Sequence, residues 1–158
     1  MAKPGRLAIK VAAAGLLLLF ALATAILFTA PRPGPVDFAT LAPGRGSTLI
    51  CPADLCLAAS EARPAPVFTI SAERLAAKLR RHASGEVGVE EWPGEDPLRL
   101  RFVHRSLLLR LPEVIDAQII PRSSGAASLA LYARPAIPAL DFGAARARME
   151  RWIEALSR

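Results

Sequence analysis

Histidine is nearly absent from this chain, cysteine occurs twice, and beyond residue 10 the only lysine is Lys78. His82 and His104 are well separated and lie far in sequence from Cys51 and Cys56, so the closely spaced four-ligand set of a structural zinc site is missing. No metal and no cofactor is expected. A Cys-x-x-Cys unit is also lacking, which removes thiol redox chemistry. Gly44-Arg45-Gly46 has no strand-to-helix context for a phosphate loop, and Asp141-Phe142-Gly143 matches the kinase metal-binding tripeptide by letters only. Ser106, His104 and Asp116 supply the residue types of a hydrolase. However, His104 and Ser106 stand two apart on one expected strand with no nucleophile elbow, and no catalytic residue is assigned.

Acidic residues are missing before Asp37, and residues 11–30 (VAAAGLLLLFALATAILFTA) carry no charge at all. A helix of that length covers roughly 30 Å, the thickness of a bilayer core. With Lys3, Arg6 and Lys10 ahead of it, the run predicts a single-pass anchor from Val11 to Ala30 with a cytoplasmic N-terminus. A cleaved signal peptide is the competing reading, because Ala23-Thr24-Ala25 has a small-x-small pattern; against it, Ile26, Leu27 and Phe28 prolong the apolar run. A lipoprotein is disfavoured because no cysteine directly follows the run. Either way the remainder is delivered across a bacterial inner membrane into the periplasm. Cys51 and Cys56 are then expected to pair as a short local staple.

The chain carries a net charge of +6, of which Lys3, Arg6 and Lys10 supply half, so the exported part is only mildly basic. Its basic residues are nearly all arginine, which suits bidentate pairing with carboxylate or phosphate and also follows from genome composition. Nucleic acid is not an expected partner, on grounds of compartment. About 128 residues follow the anchor, enough for one domain and not two.

The expected organisation is a basic tail over 1–10, an anchor over 11–30, a proline-rich spacer over 31–46 and an extracytoplasmic domain over 47–158. Residues 44–66 read as irregular. Ser71 is a good N-cap for a helix over about 72–83 with an apolar stripe of Ala72, Leu75, Ala76 and Leu79, and Gly85 ends it. Residues 86–91 predict a short strand built on Val87 and Val89. Over 98–105, Leu98, Leu100, Phe102 and His104 alternate with Arg99, Arg101, Val103 and Arg105. The arginine face is either the wet side of a sheet or a groove for an anionic partner. Strands over 114–120 and 128–134, joined through Ser123-Ser124-Gly125, follow. Asp141 then caps a last helix with Phe142, Ala145, Met149, Trp152, Ile153 and Leu156 as its apolar stripe. The fold class expected is α+β: a transmembrane helix, then two layers with roughly four antiparallel strands and two packed helices.

The strings Ser128-Leu-Ala-Leu-Tyr-Ala-Arg134 and Asp141-Phe-Gly-Ala-Ala-Arg-Ala-Arg148, with Arg105-Ser106 and Glu113-Val-Ile-Asp116 before them, resemble the signature of the domain of unknown function 1499 family. Ala145 stands where that family usually has Asn. The resemblance implies a bacterial envelope domain and no particular activity. Arg105, Asp116, Arg134, Asp141, Gly143 and Arg148 form the candidate polar corner, able to receive an anion at the last helix or to serve as a salt-bridged junction. The functional expectation is a non-catalytic, membrane-anchored interaction or assembly module with a protein partner in the inner membrane. A binding domain for a small anionic or lipid ligand, and an unrecognised hydrolase, are the alternatives.

Overall fold

The computed structural model describes residues 5–28, 33–59, 61–108, 110–123 and 125–158. In chain order it holds helix α1 (Arg6–Phe28), strands β1 (Thr48–Cys51) and β2 (Arg63–Pro64), helix α2 (Ala72–Ser84), strands β3 (Val89–Trp92), β4 (Arg99–Arg105), β5 (Pro112–Ser123) and β6 (Ala126–Pro135), a 3-10 turn (Pro138–Leu140) and helix α3 (Ala144–Ser157). The strands form one six-stranded sheet in the order β2-β1-β6-β5-β4-β3. All neighbours are antiparallel except β1 and β2, which run parallel.

This corrects the expected sheet of about four antiparallel strands. The additional strands, β1 and β2, lie within the 44–66 stretch read as irregular, and at four and two residues they are too short to display a period. The anchor is corrected as well. Among the described residues no helix is long and apolar enough to cross a membrane.

Each face of the sheet has its own cover. On the inner face Leu100 and Phe102 of β4, Ile115 and Ala117 of β5, Leu129 and Leu131 of β6 and Ile50 of β1 pack beneath α2 and α3. Helix α2 starts where Ser71 Oγ accepts the Arg74 N–H at 3.4 Å, and it buries Leu75, Ala76 and Leu79 as the spacing predicts. Helix α3 buries Ala145, Met149, Trp152 and Leu156, with Trp152 edge-on to Phe102 at 5.5 Å. It begins at Ala144, later than expected, and Phe142 is exposed rather than part of the stripe. Both Phe142 and Gly143 have positive φ, 49° and 83°, so the backbone turns left-handed just before the helix and swings Phe142 outward.

On the outer face Phe38, Leu49, Cys51, Cys56, Ala59, Ala130 and Tyr132 form a second cluster. Residues 33–47 therefore lie against the sheet, with Phe38 buried and the Gly44 N–H donated to the Tyr132 hydroxyl at 3.3 Å. Ser60 and Ser124 lie outside the described residues, so the expected Ser123-Ser124-Gly125 turn is described only through Gly125, whose φ is 89°. The Cys51–Cys56 disulfide is formed and ties the end of β1 to the loop over this face. Beside it, Asp54 is ion-paired to Arg122 of β5, and that guanidinium holds the Asp54 carboxyl below its usual range.

Replacing Cys51 and Cys56 together by serine is expected to lower stability by about 2 kcal/mol, the loop-closure contribution of so short a ring. Urea unfolding of the oxidised chain and the double variant checks it, and equal midpoints would show that the staple does not stabilise the fold.

Candidate functional site

The strand register decides which charged residues meet. One outer-face row runs Trp92, Arg101, Asp116, Tyr132 and Leu49 across five strands, and the next contains Val103, Val114 and Arg134. Asp116 therefore faces Arg101 directly and Arg134 diagonally. The Arg101 Nε–H is donated to Asp116 Oδ1 at 2.6 Å, and Arg134 is ion-paired to the other carboxylate oxygen. The two Arg101 amino groups are donated to the carbonyls of Pro33 at 2.7 Å and Gly34 at 3.0 Å. Arg134 also lies over the Tyr132 ring, 5.3 Å from its centroid, and among the described residues its Nε has no hydrogen-bond partner. The Asp116 side chain is only 8% exposed, whereas the arginine side chains keep 22% and 26% of their surface. One buried carboxylate thus serves two guanidinium groups, and the cluster keeps one unit of positive charge in excess.

Beside this cluster the sheet and residues 35–38 enclose a cleft of about 490 Å³. Val36, Phe38 and Trp92 supply apolar wall, and Arg99, Arg101 and Asp116 the polar part. Arg99 has Asp96 at 3.6 Å, and both side chains are half exposed. The cleft combines largely apolar walls with a few convergent polar groups, which is the makeup of a small-molecule site.

The other polar cluster is on the inner face. His104 and Glu113 are cross-strand partners there, and Arg148 descends onto them from α3. Arg148 is ion-paired to Glu113, its Nε–H is donated to Glu86 Oε1 at 3.1 Å, and its Nη2 lies 2.9 Å from His104 Nε2. The Trp152 indole N–H is donated to Glu86 Oε2 at 2.6 Å. Burial pushes the Glu86 carboxyl up, but the bonds from Trp152 and Arg148 and the charges of Arg148 and Arg151 outweigh it and hold the group below its usual range.

The six residues read from sequence as one corner therefore separate into distinct places. Asp116 and Arg134 meet on the outer face, while Arg148 is buried on the inner one. Arg105 ends β4 opposite Pro112. Asp141 accepts the N–H groups of Gly143 at 3.1 Å and Ala145 at 3.1 Å, so it organises the start of α3 from two residues before the N-cap, Gly143. Sequence reasoning passed over Glu86, Trp92 and the pairing role of Glu113. For Glu113 a signal existed, since it alternates with Ile115 and Ala117 on the core side of its strand and so required a buried cation. Among the described residues no cluster of His, Cys, Asp and Glu fit to hold a metal ion occurs. No protein-family model matches the chain, and no curated protein matches it.

Arg148→Met should cost about 3–5 kcal/mol, because it leaves Glu113 buried and uncompensated; adding Glu113→Leu should recover part of that loss. Urea unfolding of the single and double variants reads this, and an Arg148→Met chain as stable as the parent would refute the assignment. A pH dependence also follows. A carboxyl held low in the folded state stabilises above its unfolded value, about 4.3, and the contribution is lost as pH falls through the folded value. Glu86→Gln should accordingly flatten the fall in unfolding free energy below about pH 4.3. An unchanged acid limb would contradict it.

Proposed function

We propose that the chain is a non-catalytic binding module working outside the cytoplasm, and that its ligand is a small anionic amphiphile held in the cleft beside Arg101. The carrying observation is the excess of positive charge at a partly buried cluster on the polar side of an otherwise apolar cleft. An acidic head group set against Arg101 and Arg99 would balance that charge through charge-assisted hydrogen bonds, and an apolar tail would lie along Val36, Phe38 and Trp92. Binding fits the state of the charged groups, since the two carboxylate oxygens of Asp116 are engaged by Arg101 and Arg134. The Cys51–Cys56 disulfide supports an oxidising compartment. The likeness to the domain of unknown function 1499 family agrees with an envelope setting and adds no activity.

Calorimetric titration with dodecanoate, against dodecanol as the uncharged match, tests the proposal. Saturable binding of the carboxylate is expected, weakened roughly tenfold or more by Arg101→Gln, the loss of one hydrogen bond to a charged group. Arg99→Gln, at the exposed rim, should weaken it less. Absence of saturable binding, or equal affinity for acid and alcohol, would overturn the reading.

A further inference from the structure

A different feature lies at the opposite end of β4, and it does not depend on the cleft. Leu107 and Leu108 in the β4–β5 loop are 73% and 93% exposed, Phe142 before α3 is 89% exposed, and Val87 before β3 is 74% exposed. Scattered surface leucines need no explanation, but these four project from one end of the sheet. Along α3, Trp152 packs on Phe102 and Arg148 reaches His104, so the helix start runs on past Ser106 and carries Phe142 to the end where the β4–β5 loop projects. The Arg105 N–H is donated to Gly88 O at 2.8 Å, which brings Val87 to the same end.

The loop is built to present its leucines. Ser106 N–H is donated to Leu111 O at 3.0 Å, Ser106 Oγ accepts the Leu111 N–H at 3.0 Å, and Ser106 O accepts the Arg110 N–H at 3.0 Å. Ser106 thereby closes the base of a tight turn. Of the carboxylates near this end, Glu86 and Glu113 are committed to Arg148, and Asp141 to the α3 backbone. Arg110 is exposed beside the leucines.

We infer that this end of the domain docks on an anionic phospholipid surface, with Leu107, Leu108, Phe142 and Val87 entering the acyl boundary and Arg110 meeting the head groups. Bulky apolar side chains on loop tips beside arginine have the composition that partitions into a bilayer interface, where burial of apolar area and attraction to anionic lipid add.

The test uses the full chain with Leu108→Cys carrying an environment-sensitive fluorophore, the native cysteines being held in their disulfide. Val67→Cys is the control, an exposed apolar position next to the Phe68–Ala127 bridge at the far end of the sheet. With phosphatidylglycerol-containing vesicles bearing brominated acyl chains, the probe at position 108 is expected to shift to the blue and be quenched, and the probe at 67 is not. Arg110→Glu, or vesicles of phosphatidylcholine alone, should diminish the response at 108. A silent probe at 108, or equal quenching at 67 and 108 as adsorption through α1 would give, overturns the proposal. Quenching insensitive to both Arg110→Glu and lipid charge overturns the anionic specificity.

Discussion

Arg148 is the group around which the domain is tied. A guanidinium removed from water is tolerable only with opposite charge and hydrogen-bond partners close by, since desolvation costs several kcal/mol per ion. Those partners come from separate elements: Glu113 from β5, His104 from β4, and Glu86 from the turn after α2. Meeting them fixes the rotation of α3 about its axis and its position along the sheet. With the helix so placed, Trp152 falls on Phe102, its indole reaches Glu86, and Lys78 of α2 can donate to Leu156 O at 2.9 Å. The apolar stripe of α3 supplies most of the buried area. The arginine within it supplies the one arrangement in which that area can be buried.

The two faces solve their charge problem differently, and the difference separates scaffold from site. On the inner face Arg148 has two carboxylates and an imidazole around it, and the sheet beneath is closed over by helices. On the outer face, among the described residues, Asp116 is the one carboxylate paired to both Arg101 and Arg134. Some of the Arg101 donors are satisfied by the carbonyls of Pro33 and Gly34, dipoles rather than charges. This segment satisfies hydrogen bonds without neutralising the cluster. A bound anion would complete what the polypeptide leaves open.

Much of the scaffold was legible in the sequence. The alternation of Leu100, Phe102 and His104 against Arg99, Arg101 and Arg105 assigned both faces of β4, and the 3.6-residue stripes assigned the buried sides of α2 and α3. β1 was not, because Thr48–Cys51 offers only four residues and is covered on both faces, so no polar alternation marks it. Phe142 continues the helical spacing by letters, but the positive φ at Phe142 and Gly143 keeps it outside the helix, which starts at Ala144, a backbone event that spacing does not encode. The candidate corner failed for a related reason. Asp116, Arg134 and Arg148 were grouped by motif, while the strand period places Asp116 on the face of the sheet away from His104 and so away from Arg148. Two periodicities already present in the chain, read together, separate them.

The cleft and the apolar tip occupy the two ends of the same short strand, Arg99 at one and Arg105 at the other, about 20 Å apart at strand rise. At that separation their energetics should add rather than couple. A domain resting on lipid through the β4–β5 loop and the α3 start would hold the cleft away from the surface, with the segment 33–38 beside its opening. Such an orientation suits a module that receives an amphiphile from the aqueous side or from a second protein. It is unsuited to drawing a ligand directly out of the bilayer on which the tip would sit.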